Sequence, residues 1–550
     1  MQADEEYQNE RLDHLGIVAG VCREIGLVEW LDRQAGERKN LVSIGTATMA
    51  MVLNGLGFSN RQLYLVPQFF ANKPVEHLLG EGISAEMLHD DCLGRTLDWI
   101  AEHDPTALFA GIAQQARQRF ALSSTRLHVD TTSFSVSGAY ENDSEAAEPA
   151  QIAITYGYSR DHREDLKQWM LALVTTHEGD VPLFMRPLDG NSSDKVSISA
   201  VVRQVMEQLR ASQPVEQEEP LVVFDSGGYS QANMKAYNEA KIRWCSRVPE
   251  TSTEAKAALA QQPEQWQEFS DHSGHYVRLQ QSLPQGAERW MMIRTKQNWE
   301  AASKSLQKKA SKDLAIWQKR LWHFSAQSFA CQQDAEEAWN KTISKLPIWL
   351  QASKSLVGEP HYGKAGRPRG QTEPVRTSWK IVPTVQINQQ ALERAADQQA
   401  RFLIATNELS TDKLTDEALL AVYKDQGGVE RGFRFLKDPL FLASSVFVKK
   451  PSRLIALSFI MVLCLLIYRL AEHRLRQRLQ QSEQTIPNQL NKPTAKPTMR
   501  WVFQCFEGIE LLHIRIGSTF QTRVLRLQPL HHKILRLLGP PYQQFYFLSS

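Results

Sequence analysis

"TRLHVDTTSFSV", residues 125–136, is the stretch that decides the fold class, because its polar and apolar residues alternate as in a β-strand. Two apolar runs around the turn residues "HEGD" follow it and predict a hairpin of residues 167–176 and 181–187. The pattern continues with an amphipathic helix, a short buried strand and a further strand: "SISAVVRQVMEQLRAS" (197–212), "PLVVFDSGG" (220–228) and "IRWCSRV" (242–248). Strands that alternate with helices in this way predict an α/β layer built on one sheet.

The 550-residue chain is long enough to form several domains around this layer. Residues 8–122 have apolar side chains at spacings of three and four, which predict helices. Mixed strand and helix patterns between the strand at 242 and a helix near 412 predict an inserted, partly β domain. The expected domains are a helical N-terminal domain (1–122), the first part of the core (123–249), the insertion (250–408), the second part of the core (409–480) and a basic C-terminal region (481–550).

Cysteine usage and hydropathy bear on the location of the protein. The six cysteines lie far apart, with no spacing suited to zinc or to a dense disulfide framework, which favours a reducing cytosol. The N-terminus is acidic and polar, unlike a signal peptide. The apolar run 454–470 is shorter than the roughly 20 residues of a membrane span, so it predicts a buried core helix and no membrane partner.

A net charge of +2 conceals a strong charge polarity along the chain. Residues 431–550 contain 18 of the 63 Lys and Arg residues but 5 of the 61 Asp and Glu residues, so the first 430 residues are net acidic. A basic region of this kind indicates a polyanionic partner, and phosphate backbones are the commonest one. The alternative is that long helices simply carry solvated Lys and Arg side chains.

Two aspartates stand where the predicted sheet would carry a ligand site. Asp130 lies inside the first strand among apolar neighbours, where an isolated buried charge would be costly. Asp225 follows "LVVF" at the carboxyl end of the later strand, where open sheets place ligands. If these strands are neighbours, the two carboxylates face one another and require a cation between them. Carboxylate oxygens are ligands suited to Mg²⁺ or Mn²⁺.

Glu430 is the candidate third acid, in the basic and aromatic stretch "VYKDQGGVERGFRFLKDP" (422–439). On a helix from about 412 to 437, Tyr423, Glu430 and Lys437 are seven residues apart and would share nearly one face. Gln426, four residues before Glu430, would lie on the same face. Glu430 would then be a metal ligand. The side chains around it that would hold the polyanion are Tyr423, Gln426, Arg431, Arg434 and Lys437.

With these motifs the sequence resembles the bacterial insertion-sequence transposases of the DDE class. One subgroup has a signature of Tyr, two residues, Arg, three residues, Glu, six residues and Lys. Tyr423, Glu430 and Lys437 match this spacing, but Gln426 stands where the signature has Arg. The resemblance extends over roughly residues 10–475, and its further motifs are "HVDTTSF" with Asp130, "FDSGGYS" with Asp225 and "YGYSRDHREDLKQ" (156–168).

The resemblance implies a ribonuclease H-like mixed sheet with helices, a partly β insertion domain and a helical N-terminal domain. It implies that Asp130, Asp225 and Glu430 are catalytic and hold two Mg²⁺ or Mn²⁺ ions. The implied reaction is cleavage at the transposon ends, followed by joining of the 3′-hydroxyl to target DNA. The implied partners are double-stranded DNA, namely inverted repeats and target, and a second copy of the chain on that DNA. The implied location is the bacterial cytoplasm, in association with the nucleoid.

Two other functions stay open at this point. The first is a catalytically inactive or domesticated DNA-binding protein of transposase ancestry, for which Gln426 is the local sign. The second is a ribonuclease H-like nuclease with the same metal site. Arg367 and Arg369 in "GKAGRPRGQ" (363–371) are candidates for insertion into a DNA minor groove, and a basic loop without that role is the equal alternative.

Overall fold

A computed structural model describes residues 5–37, 40–58, 65–138, 140, 152–159, 163–212, 219–363, 373–438, 450–516 and 519–547. The chain divides into two compact units. The first comprises Met1–Ser246, Pro284–Gly286 and Ala418–Ser550, and the second comprises Arg247–Leu283 and Ala287–Glu417.

The N-terminal region of the first unit is mostly helical, as the sequence predicts. It begins with a strand, β1 (Glu5–Arg11), which the sequence pattern did not indicate. Local capping explains two of the helix starts. The Ser43 hydroxyl accepts a hydrogen bond from the backbone N–H of Thr46, and Asp104 caps a helix that has Pro at its first position. The helices are α1 (Leu15–Glu24), α2 (Leu27–Ala35), α3 (Ile44–Leu56), α4 (Val66–Phe70), α5 (Val75–Leu79), α6 (Asp90–Glu102) and α7 (Pro105–Arg119).

The predicted α/β layer forms the next part of the first unit. Its elements in chain order are β2 (Arg126–Val136), β3 (Lys167–Thr176), β4 (Pro182–Leu188), α8 (Asp194–Ser212), β5 (Leu221–Phe224), α9 (Gln231–Glu239) and β6 (Arg243–Arg247). The strands are hydrogen-bonded in the order β4–β3–β2–β5–β6. The pairs β4–β3 and β3–β2 are antiparallel, whereas β2–β5 and β5–β6 are parallel. The predicted hairpin of residues 167–176 and 181–187 is confirmed as β3 and β4.

The second unit mixes long helices with strands. Its elements are α10 (Thr253–Ala260), β7 (Gln267–Glu268), β8 (Gly274–Leu283), β9 (Gly286–Thr295), α11 (Lys296–Ser325), α12 (Gln332–Ile343), β10 (Leu350–His361), β11 (Arg376–Ile387), α13 (Gln389–Gln399) and β12 (Arg401–Thr406). β10 and β11 form an antiparallel ribbon, and β12, β9, β8 and β7 are adjacent in that order. The sequence pattern missed β10, whose side chains are mostly half-buried or exposed.

The C-terminal part of the chain returns to the first unit. Its elements are α14 (Asp416–Lys424), α15 (Gly427–Leu436), α16 (Pro451–Gln481), β13 (Ile486–Pro487), β14 (Pro493–Thr494), α17 (Met499–Cys505), β15 (Glu510–Ile516), β16 (Thr519–Leu525), α18 (Pro529–Leu538) and α19 (Pro540–Gln543). β15 pairs with β16 and also with β1, so the two ends of the chain share one small antiparallel sheet.

Helix α16 is the central helix of the first unit. By length and composition it could cross a membrane, yet its apolar window is completely buried inside the protein, where it packs against α1, α3, α6, α7 and β4. The indole N–H of Trp169 on β3 donates to Ser458 Oγ of α16 at 3.0 Å. The prediction that residues 454–470 form a buried core helix is confirmed.

Ion pairs account for part of the charge polarity. Several basic side chains of the C-terminal part pair with acidic side chains from the first 430 residues rather than facing solvent alone. These pairs are Arg453–Asp98, Arg474–Glu24, Arg515–Glu6 and Arg431–Asp180. The net charge of residues 431–550 therefore overstates the positive charge that is available to a partner.

Candidate active site

The first two acids occupy neighbouring positions on parallel strands. Val129 of β2 is in register with Phe224 of β5, and Asp130 and Asp225 follow these partners by one residue each. Adjacent strands lie roughly 4.8 Å apart, and residues in register project from the same face of a sheet. Asp130 is half-buried, and its Oδ1 accepts a hydrogen bond of 2.7 Å from the backbone N–H of Thr131. Asp225 is exposed where β5 ends.

Tyr423 connects the acid-bearing segment to this pair. It lies near the end of α14, and its hydroxyl donates a hydrogen bond to Asp225 Oδ1 at 3.1 Å. Tyr423, the first residue of the predicted Tyr, Glu and Lys spacing, therefore contacts Asp225 directly.

Glu430 is exposed on α15, which packs against β2 and β3. A Cβ added at Gly432 would lie 3.5 Å from Leu173 Cδ2, and Leu173 of β3 is the register partner of Asp130. At the end of α15, Lys437 Nζ lies 5.6 Å from the centre of the Phe134 ring on β2. The segment from Tyr423 to Lys437 thus runs from Asp225 to β2, with Glu430 midway along it.

The prediction of one continuous helix from about 412 to 437 is wrong. Asp425 and Gln426 separate α14 from α15, and hydrogen bonds three residues apart replace the α-helical pattern here. Two adjacent glycines have low helix propensity. In addition, a Cβ at Gly428 would overlap Asp180 Oδ1, which shows how closely the chain approaches the β3–β4 turn. Tyr423 and Glu430 therefore do not share one helical face: Tyr423 of α14 contacts Asp225, whereas Glu430 lies on α15, which packs against β2 and β3.

The predicted polyanion contacts differ in their surroundings. Arg431 is 57% exposed, and its Nη2 donates to Asp180 Oδ2 at 2.8 Å. Arg434 is exposed in the last turn of α15, and Lys437 is half-buried. Gln426 directly precedes α15 and does not cap it through its side chain. The predicted pair Arg367 and Arg369 lies outside the described residues.

The donor set fits a divalent cation. Asp130, Asp225 and Glu430 offer carboxylate oxygens, the ligands that Mg²⁺ and Mn²⁺ prefer. The ligand atoms of the three acids do not all lie within 4.8 Å of one another. Among the described residues, a group with such close ligand atoms is His89, Asp90 and Asp91, which is exposed at the start of α6. Three like charges stay apart unless a cation lies between them, so a wider spacing is compatible with metal ligands.

A family model described as "Transposase DDE domain" matches residues 122–467, which is more than half of the chain. The chain belongs to this family of DDE transposases. It is therefore a DDE-type DNA transposase, an enzyme, and the prediction from the sequence is confirmed at this level. DDE transposases generally use divalent metal ions, in agreement with the acidic donor set.

Further comparisons concern the rest of this transposase. A second family model, a domain of unknown function (DUF4277), matches residues 7–114. A comparison with curated proteins gave no significant match. Among solved structures, the chain is similar to the piggyBac transposase in its synaptic complex with hairpin DNA, with 10% sequence identity, coverage of 91% of this chain and 82% of that chain, and a TM-score of 0.39.

Sequence reasoning missed two features of the transposase next to the acids. The turn residues 177–180, "HEGD", contact two parts of the Glu430 segment: His177 pairs with Asp425 before α15, and Asp180 pairs with Arg431 on α15. His128 lies two residues before Asp130 on the same strand, and neither of its ring nitrogens has a hydrogen-bond partner among the described residues. Burial lowers the pKa of His128 to about 4, so the ring is neutral at physiological pH. The only sequence signal for either feature was the turn composition of "HEGD".

Proposed function

We propose that this transposase cleaves DNA strands at the inverted-repeat ends of an insertion sequence and joins the freed 3′-hydroxyl groups to target DNA. The observation that carries the proposal is the register of β2 and β5, in which Asp130 and Asp225 follow paired residues on neighbouring parallel strands. The hydrogen bond from Tyr423 to Asp225 supports it, because it ties the segment that bears Glu430 to the same edge.

A ribonuclease H-like fold for the catalytic core is part of the proposal. In that fold, three antiparallel strands are followed across one mixed sheet by parallel strands. The order β4–β3–β2–β5–β6, with two antiparallel and then two parallel pairings, supports this assignment. The carboxyl end of β5, beside Asp130 in the middle of β2, is then the place at which ligands are expected.

In this proposal Asp130, Asp225 and Glu430 hold two Mg²⁺ or Mn²⁺ ions. Bound there, the ions would supply activation of a water or a 3′-hydroxyl and stabilisation of the leaving oxygen. Tyr423 orients the Asp225 carboxylate through its hydroxyl. Arg434 and Lys437 bind backbone phosphates next to the scissile bond, and Arg431 contributes from its ion pair with Asp180. The nucleophile comes from water or from DNA, so the protein needs no nucleophilic side chain.

The partners in this proposal are double-stranded inverted-repeat and target DNA and a second copy of the chain. Arg367 and Arg369 are further candidates for DNA contact. The chain would belong to the subgroup with the Tyr, Arg, Glu and Lys signature, with Gln426 in place of the Arg. It would act in the bacterial cytoplasm at the nucleoid.

Strand cleavage of a repeat-ended DNA substrate in Mg²⁺ tests the proposal. We expect Asp130→Asn, Asp225→Asn and Glu430→Gln each to abolish cleavage while leaving DNA binding intact. Glu207→Gln, at an exposed position of α8, is the matched control and should cleave as the wild type does. Undiminished cleavage by any of the three acid variants removes that residue from the site. A wild-type chain that binds repeat DNA but cleaves in neither Mg²⁺ nor Mn²⁺ would instead favour the inactive DNA-binding protein to which Gln426 points.

A further inference from the structure

The turn that joins β3 to β4 has a fixed local conformation. Gly179 and Asp180 both have positive φ, +78° and +54°, a pair of conformations that Gly and Asp adopt more readily than most residues. Thr176 closes the turn: its hydroxyl donates to the Glu178 carbonyl at 2.7 Å and accepts from the Val181 N–H at 3.1 Å. The Asp180 carboxylate therefore projects from a rigid support.

This carboxylate is packed against the first turn of α15. A Cβ added at Gly428 would overlap its Oδ1, so a side chain there would displace the carboxylate, and its Oδ2 accepts from Arg431 Nη2 at 2.8 Å. Arg469 Nη1 of α16 lies 3.9 Å from the same oxygen. The side chain of Asp180 is only 14% exposed, whereas Arg431 is largely in water, so the carboxylate is held mainly by its packing against Gly428 and its hydrogen bond.

A second contact joins the same turn to the same segment. His177 Nδ1 lies 3.3 Å from Oδ2 of Asp425, the residue that follows α14. In the sequence, Glu430 lies between Gly428 and Arg431, the two residues of α15 that Asp180 contacts. Because α15 begins with two glycines and contains a third, Gly432, its own helix propensity is low and its position depends on such outside contacts.

We propose that Asp180 is a positioning residue, which fixes the first turn of α15 and thereby holds Glu430 toward Asp130 and Asp225. The inference rests on the proposed role of Glu430 as a metal ligand. Asp180 itself touches neither the metal nor the DNA in this scheme. It acts as the outer partners of metal ligands do, and loss of such partners typically lowers metal affinity or activity by about 10- to 100-fold.

The test uses the full-length chain and measures the Mg²⁺ concentration that gives half-maximal strand cleavage. Asp180→Ala and Asp180→Asn should raise this concentration by about tenfold or more. Binding of repeat DNA in EDTA should not weaken, because Arg431 keeps its charge. The melting temperature of Asp180→Asn should stay close to that of the wild type, because Asn tolerates a positive φ. Gly428→Ala should produce the same Mg²⁺ phenotype, because its methyl group displaces the carboxylate. Gly432→Ala, on the same helix, is the matched control, since its methyl group meets the ends of Leu465 at 3.2 Å and Leu173 at 3.5 Å rather than Asp180 or Arg431.

The outcomes separate the inference from the proposed function. If Glu430→Gln cleaves normally, the metal-ligand role of Glu430 fails. If Glu430→Gln is inactive but the Asp180 variants keep the wild-type Mg²⁺ dependence, the positioning role of Asp180 is overturned. If the Asp180 variants do not fold, two glycine variants decide: equal Mg²⁺ dependence of Gly432→Ala and Gly428→Ala overturns the inference, and a shift confined to Gly428→Ala supports it.

Discussion

The Tyr423 hydroxyl donates a hydrogen bond to Asp225 Oδ1 across a distance of 3.1 Å, and the two residues are 198 positions apart in the chain. Asp225 directly follows β5, whereas Tyr423 lies near the end of α14, the helix that precedes the Glu430 segment. This single contact therefore links the two parts of the chain that the insertion separates. It also gives a physical reason for a tyrosine seven residues before the proposed third acid.

Tyr423→Phe should weaken catalysis without abolishing it. The variant keeps the ring and loses the donor to a carboxylate, an interaction worth about 1.5–3 kcal/mol when protected from water. Because Tyr423 is half-exposed, we expect the low end of that range, which is about a tenfold loss of cleavage rate. Single-turnover cleavage with saturating DNA measures it. A rate equal to that of the wild type would show that the hydrogen bond does not orient Asp225 in the working enzyme.

Ser458→Ala should destabilise the first unit. The substitution removes the acceptor of the buried Trp169 indole N–H, and an unsatisfied buried donor costs about 1–3 kcal/mol. Chemical denaturation monitored by tryptophan fluorescence measures the loss. Ser482→Ala is the control, because Ser482 is exposed just beyond the end of α16, so its free energy of unfolding should change by less than about 0.5 kcal/mol. Equal effects of the two substitutions would contradict the prediction.

The sequence predicted the parts of the fold that depend on local pattern. Alternation in "TRLHVDTTSFSV" predicted β2, and the apolar runs around "HEGD" predicted β3 and β4. The long apolar run predicted the buried helix α16. These segments bury a regular face or are apolar throughout, so their own composition determines what they form.

Long-range contacts explain what the sequence did not predict. β1 is charged and polar, and its partner β15 is about 500 residues away in the chain. The break before α15 depends on Asp180 packing against Gly428, a contact that no periodicity encodes. Spacing alone suggested a helical face shared by Tyr423 and Glu430. In the structure two separate helices carry these residues: Tyr423 lies on α14 and contacts Asp225, and Glu430 lies on α15.

Gly16→Ala should destabilise the protein by disturbing the contact between its two ends. A Cβ at Gly16 of α1 would lie 2.7 Å from Phe545 Cβ and 2.7 Å from Tyr546 Cε2, and overpacking of this kind costs about 1–3 kcal/mol. Gly94→Ala in α6 is the control, because the atoms nearest to its methyl group belong to the guanidinium at the end of Arg453, at 3.1 Å, and not to the backbone or a packed ring. Thermal unfolding compares the two. A melting temperature for Gly16→Ala at or above that of Gly94→Ala would argue against tight packing of the C-terminal residues on α1.

His14 should make the stability of the first unit sensitive to acid. Its ring is buried, stacks on Phe503, and lies 2.8 Å through Nε2 from the Leu56 carbonyl. Burial lowers the pKa of His14 from 6.5 to about 4 in the folded protein. Between these values the unfolded chain binds a proton that the folded chain does not. The contribution of neutral His14 is therefore complete above pH 6.5 and is lost as the pH falls toward 4, by up to about 3 kcal/mol.

Comparison of the wild type with His14→Gln isolates this effect, because the other titrating groups are common to both chains. The variant should be less stable at pH 7, since it loses the ring packing and the wild-type hydrogen-bond geometry at Leu56. The difference in free energy of unfolding should then shrink, or reverse, as the pH is lowered from 6.5 to 4. Denaturation curves at half-unit pH steps measure it. A difference that stays constant over this range would mean that the folded protein takes up the proton on His14 as readily as the unfolded chain does.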